Sequence, residues 1–202
     1  MGFYPFNPTL GQKMQTNGAV EVDAAYVAHL SIAAVDAAAA VATAVHASFA
    51  TSTLLTTVTT AITNPGYPKN ITATAGGVDA DVKAVQVIIT GTDFNDEVIT
   101  ESLPAFTVNT LGTVVGAKAF KTVTKIEVPG MDGAGVTITI GTGVLLGIPY
   151  KLSHNTVLKA YHTGTLEGTA PTVAISATVL ASNTFTTNTA LDGNDVDLFL
   201  MV

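Results

Sequence analysis

Few residues in this chain have the types that carry chemistry, and their spacing decides what they could do. Its four histidines are His29, His46, His154 and His162. None lies i, i+4 from another, and none has a neighbouring carboxylate, so the spacing does not describe a metal site. Ser153-His154-Asn155 has two triad residue types, but the Gly-x-Ser-x-Gly turn of a nucleophile elbow is absent. Asp93, Asp96, Glu97 and Glu101 gather around one stretch and could be read as a glycosidase carboxylate pair or a Ca²⁺ loop. Asx turns and a solvated strand end account for them with fewer assumptions. Asp192-Gly193-Asn194-Asp195 reads the same way. No Gly-Lys-[Ser/Thr] phosphate loop occurs. The chemistry therefore points away from an enzyme, and no catalytic residue, cofactor or metal ligand is expected.

Composition narrows the classes further. The chain has 202 residues, of which 11% are charged, against roughly 25% in an average soluble domain. Thr, Ala and Gly fill the gap, with 33 Thr, 29 Ala and 18 Gly. All eight basic residues are Lys, so no bidentate guanidinium clamp is possible. The absence of Cys excludes disulfides, thiolate metal sites and cysteine nucleophiles. A net charge of −7 repels nucleic acid. The start, Met1-Gly2-Phe3-Tyr4-Pro5-Phe6, has no basic region, so no secretory leader is expected. Residues 24–50 form the only stretch that resembles a membrane span. They carry Asp36, His29 and His46 and are mostly Ala, so no spanning segment is expected.

The elements that must position these residues fall into two parts, 1–50 and 51–202. Residues 1–20 read as an extended arm: Pro5 and Pro8 block helix and central strand, while Phe3, Tyr4, Phe6 and Leu10 offer apolar anchors for a partner. Residues 21–50 are rich in Ala, the best helix former. Val20, Val27, Ala34 and Val41 recur every seven residues, with Leu30, Ala37 and Ala44 as a second line. That pattern predicts an Ala-rich helical segment serving attachment or oligomerisation.

From Thr51 the period switches to β-branched alternation. Strands are expected over 51–63, 71–75, 82–90, 97–103, 106–108, 114–115, 120–128, 136–140, 145–152, 156–161, 172–179 and 196–202. Turns such as Asn64-Pro65-Gly66-Tyr67-Pro68 punctuate them. Strands without crossover helices imply an antiparallel β-sandwich of about ten short strands. The last stretch, 196–202, is apolar on both faces, which suits a core strand or an interface.

Several phrases are also familiar. Thr63-Asn64-Pro65-Gly66-Tyr67-Pro68-Lys69-Asn70-Ile71-Thr72-Ala73-Thr74-Ala75-Gly76-Gly77 precedes Val85-Gln86-Val87-Ile88-Ile89-Thr90-Gly91-Thr92. Glu97-Val98-Ile99-Thr100-Glu101, Lys118-Ala119-Phe120-Lys121-Thr122-Val123, Gly147-Ile148-Pro149-Tyr150-Lys151-Leu152 and His154-Asn155-Thr156-Val157-Leu158 follow. Over residues 60–202 the chain resembles a family of tailed-bacteriophage head structural proteins of the capsid decoration, cement or head-fibre type. The resemblance implies a virion protein on the capsid surface, made in the host bacterial cytoplasm. Its partners would be the major capsid protein lattice and copies of itself, with a homotrimer favoured and neither nucleic acid nor membrane involved. A neck or tail component and a carbohydrate-binding adhesin are the rival expectations.

Overall fold

The computed structural model describes residues 14–15, 21–22 and 26–202. Phe3, Tyr4, Phe6 and Leu10 lie outside the described residues. The chain is mainly β and its strands pair antiparallel. In order they are β1 (Met14–Gln15), β2 (Glu21–Val22), β3 (Val27–Ile32), β4 (Val41–Ala50), β5 (Thr56–Val58), β6 (Lys69–Gly77), β7 (Ile88–Thr92) and β8 (Val98–Ser102). They continue with β9 (Gly112–Phe120), β10 (Thr122–Val128), β11 (Val136–Gly147), β12 (Val157–His162), β13 (Thr165–Leu166), β14 (Thr172–Ala174), β15 (Thr184–Thr186) and β16 (Val196–Met201). Two single 3₁₀ turns, Asp79–Asp81 and Leu180–Ser182, are the only helical residues among those described.

The Ala-rich helix expected over 21–50 does not form. Residues 27–32 and 41–50 are strands instead. The deciding pattern has period two. Ala28, Leu30 and Ile32 turn inward, and Val27, His29 and Ser31 turn outward. β3 pairs with β16 residue for residue, from Val196↔Ile32 to Met201↔Val27, and β4 lies along β11. A helix of small side chains buries little area, so its propensity loses to two strand partners that satisfy its backbone and admit small residues closely. The strand expected over 51–63 shrinks to Thr56–Val58. The 106–108 stretch is a loop, with Phe106 buried and its N–H donated to the Val85 carbonyl.

Three larger sheets build two cores. β11 is central to a six-stranded sheet, with β6 and then β9 on one side and β4 and β15–β14 on the other. The β5-β10-β7-β8 sheet packs against one part of it. Ile71, Ala73, Val136, Ile138 and Ile140 there meet Ile89, Val123, Ile126 and Val128. The β13-β12-β16-β3 sheet forms the second core, where Leu146, Ile148 and Phe185 meet Ala160, Val196, Leu198, Leu200 and Ile32. Residues 27–50 contribute to both, through Val45 in the first core and Ile32 and Ala37 in the second.

β11 serves both cores, and its pairing with β6 slips between Thr142 and Leu146. β6 also slips against β9, between Asn70 and Thr72. Such bulges leave backbone groups without ladder partners. Asn70, fully buried, repairs both: its Oδ1 accepts the Leu145 N–H at 2.9 Å and its Nδ2 donates to the Gly116 carbonyl at 2.8 Å. Gly143 makes room, since a Cβ there would strike the Asn70 amide. Asn70→Ala strands a buried donor and a buried acceptor, each worth about 1–3 kcal/mol when left unsatisfied. Urea unfolding of the variant should show a loss of about 3 kcal/mol, whereas a loss under about 0.5 kcal/mol would mean the bulges pair some other way.

Candidate functional site

The apolar-on-both-faces pattern of the last strand has a structural counterpart. Val196, Leu198 and Leu200 fill the second core, and the alternate residues Asp197, Phe199 and Met201 remain part-exposed on the other side. Register then assembles the outer face. Phe199 stands opposite His29 of β3 and Lys159 of β12, and Asp197 stands opposite Ser31 and Tyr161. The His29 ring lies parallel over Phe199, with centroids 4.4 Å apart, and Tyr161 meets Phe199 edge-on at 5.8 Å. His29 Nε2 is 2.7 Å from Asp197 Oδ1, which fixes the imidazole over the phenyl ring. Val27 is 63% exposed beside Met201. Tyr26, 73% exposed, is held at the rim by two backbone hydrogen bonds with Val202.

The result is a sheet face with an aromatic centre and single charges, Lys159 and Asp197, beside it. A groove of about 220 Å³ adjoins it, lined by residues that include Leu158, Lys159, Leu166, Glu167 and Pro171. An aromatic cluster held on a rigid sheet is suited to bury area against another surface. The sequence showed that β16 was apolar on both faces but not which side chains would join it. His29 and Asp197 are 168 residues apart, and no local spacing reveals such a pair.

No family model, curated protein or solved structure matches the chain. The reading of the site therefore rests on its residues.

The other chemistry-bearing residues are dispersed. Ser153 Oγ lies 2.9 Å from His154 Nδ1, on the surface. His46 turns its ring edge-on to Phe49. His162 is buried, with its Nε2 3.1 Å from Asp192 Oδ1 but without hydrogen-bond alignment. Asp192 also accepts the Asn194 backbone N–H, closing the expected Asx turn. Asp93 is buried and accepts the N–H groups of Asn95 and Glu97, capping the hairpin. Asp96 pairs with Lys121 at 2.8 Å. Glu101 reaches from β8 to β9 and accepts the N–H groups of Ala117 and Lys118. Asp93, Asp96 and Glu101 thus serve a turn, an ion pair and a contact between two strands. No group of three or more His, Cys, Asp or Glu among the described residues has the arrangement to hold a metal ion, and no helix there is long and apolar enough to cross a membrane.

Burial raises the Glu101 carboxyl above its ordinary value of 4.5, against the lowering effect of the Ala117 and Lys118 N–H groups and the Lys118 charge. The folded chain therefore binds this proton more tightly than the unfolded chain. Its contribution to stability falls as pH rises from the unfolded value through the folded one. Glu101→Gln keeps an oxygen to accept the two N–H groups and removes the titration. Denaturant melts across that interval should show a flatter pH dependence in the variant, with stability at neutral pH no lower than wild type. An unchanged slope would place the pH dependence on other groups.

Proposed function

We propose that this chain is a structural protein of a tailed-phage virion that decorates or cements the capsid by binding across major capsid protein subunits, as an antiparallel β-sandwich working in homo-oligomeric, trimeric form. The observation that carries the reading is the outer face of the β13-β12-β16-β3 sheet, where Phe199, His29, Tyr161 and Met201 stay part-exposed with no covering element among the described residues. Two features support it: the phrases between residues 63 and 158 resemble those of phage head structural proteins, and charge is scarce across the whole chain. Cementing needs area, shape and stiffness, because separating two capsid subunits must also tear away whatever bridges them. A buried aromatic anchor contributes a few kcal/mol at such a contact, and several copies acting together multiply weak contacts through avidity.

The test is binding of purified protein to undecorated capsids. Phe199→Glu with Tyr161→Ser alters only outward-facing side chains of the second sheet. The double variant should keep its β circular dichroism and cooperative melting yet lose at least about tenfold in occupancy, which corresponds to about 1.4 kcal/mol. Unchanged occupancy would overturn this face as the attachment surface. Deleting residues 1–12 in parallel separates the Phe3–Leu10 anchors from the sheet face. Sedimentation should give three times 20.6 kDa, and hundreds of copies per particle distinguish decoration from a neck or tail position.

A further inference from the structure

The connection between β3 and β4 holds a second cluster, apart from the Phe199 face. At its start the N–H groups of Asp36 and Ala37 both donate to the Ala33 carbonyl at 2.9 Å, forming a turn that carries Asp36. The Asp36 carboxylate rests against Gly66, where a Cβ would collide with it. Lys69, the first residue of β6, is only 4% exposed, and its Nζ donates to the Ala38 carbonyl at 2.6 Å. Tyr67 donates its hydroxyl to the Gly147 carbonyl at 2.7 Å. A cavity of about 160 Å³ opens among these groups. Val35, Ala39, Val41 and Ala44 give it apolar walls, and Asp36 and Lys69 give it polar ones.

A buried primary amine, one backbone acceptor and a nearby carboxylate around a small apolar cavity form the constellation that an imine-forming lysine needs. We propose that Lys69 is a carbonyl-reactive lysine and that this cavity admits small aldehydes of about three or four carbons, held on Nζ as a Schiff base. The neutral amine keeps one N–H on the Ala38 carbonyl and presents its lone pair. That pair forms the C–N bond while the carbonyl π electrons move to oxygen. Asp36 takes a proton from nitrogen and returns it to oxygen, giving the carbinolamine. The hydroxyl then leaves as water with a proton that the Asp36 carboxyl has taken from solvent, while nitrogen's electrons form the C=N bond. Amine, aldehyde and one solvent proton become the protonated imine and water, and no oxidant or reductant is consumed. A protonated imine keeps one N–H for Ala38 and has Asp36 as counter-ion.

Burial and one neighbouring charge set the amine's protonation. Burial lowers the Lys69 amine below its usual range, and the Asp36 charge opposes this in part. Burial, and then Asp36, raises the Tyr67 hydroxyl far above its ordinary value, so Tyr67 stays a neutral donor.

Propionaldehyde with cyanoborohydride on the intact protein, between about pH 6 and pH 10, followed by peptide mass mapping, measures each lysine separately. Lys69 should label about tenfold faster at neutral pH than the part-exposed Lys83, Lys121 and Lys125, with its half-labelling pH below theirs. Ala44→Leu, which fills the cavity, should suppress labelling of Lys69 and leave the other three unchanged. Asp36→Asn should lower the half-labelling pH further. Labelling of Lys69 at the rate and pH of the exposed lysines, or its absence in a folded wild-type protein, would overturn the proposal and leave Lys69 as a clip for the β3–β4 connection.

Discussion

The structure depends on one strand belonging to two cores. Twelve extended residues reach about 40 Å, longer than one small core needs, and β11 uses that length to carry Val136, Ile138 and Ile140 into the first core and Leu146 into the second. A twisted strand cannot aim correctly at both without a break in its alternation. The break falls between Thr142 and Leu146, and its penalty is buried backbone with no ladder partner. Only a short amide side chain fits the repair. Asn70 must donate to Gly116 and accept from Leu145 in the same buried space. An aspartate would lack the donor, and a serine would be too short to span both partners. Asn183 repeats the device in the second half. It is fully buried, it accepts the Leu152 and Ser176 N–H groups, and it donates to carbonyls of the 176–180 loop.

The same arrangement ties β3 to the last strand. β3 precedes the first core in sequence but completes the sheet of the second, where it pairs with the final strand. The β3–β4 connection is fastened from both sides: Lys69 holds the Ala38 carbonyl, Asp195 Oδ1 accepts the Ala34 N–H at 2.8 Å, and the Ala37 carbonyl accepts the Gly193 N–H. Segments far apart in sequence therefore meet on one short strap. The second sheet cannot close until residues 196–201 exist, so its formation carries the entropy of a loop of well over 100 residues and should follow the first core in folding.

Legibility in the sequence followed the range of the interactions. Turns were readable because Asn, Asp, Gly and Pro act within two or three residues. The Asp93 hairpin and the Asp192 turn are both local Asx devices. β6, β10 and β16 were readable from their alternation, whereas β11, expected as two strands over 136–140 and 145–152, runs unbroken through Gly141 and Gly143 and ends at Gly147. The 21–50 stretch misled because Ala propensity and a seven-residue recurrence are local signals, and the competing partners, β11 and β16, lie about 100 residues or more away. The outer face was half-visible. Phe199 and Met201 could be seen to alternate with core residues, but the His29 stack and its Asp197 partner arise only from the register of β3 on β16.

The scarcity of charge gains a physical meaning from how threonine is used. Thr74 and Thr113 pair their hydroxyls across strands at 2.8 Å, and Thr92 and Thr122 do so at 2.7 Å. A strand face of this kind satisfies part of its polar groups within the molecule. Covering a charged face with a partner requires stripping water from ions, at several kcal/mol for each one left without ideal partners. Covering a face of paired hydroxyls removes little hydration that the protein has not already replaced. The Thr-rich strands and the Phe199 face are then two forms of one property, a surface that loses little when another protein lies down on it. In an isolated domain that property invites unwanted pairing along sheet edges. Under the proposed capsid-binding role, it would let modest contacts over a broad area outweigh the ordering they require.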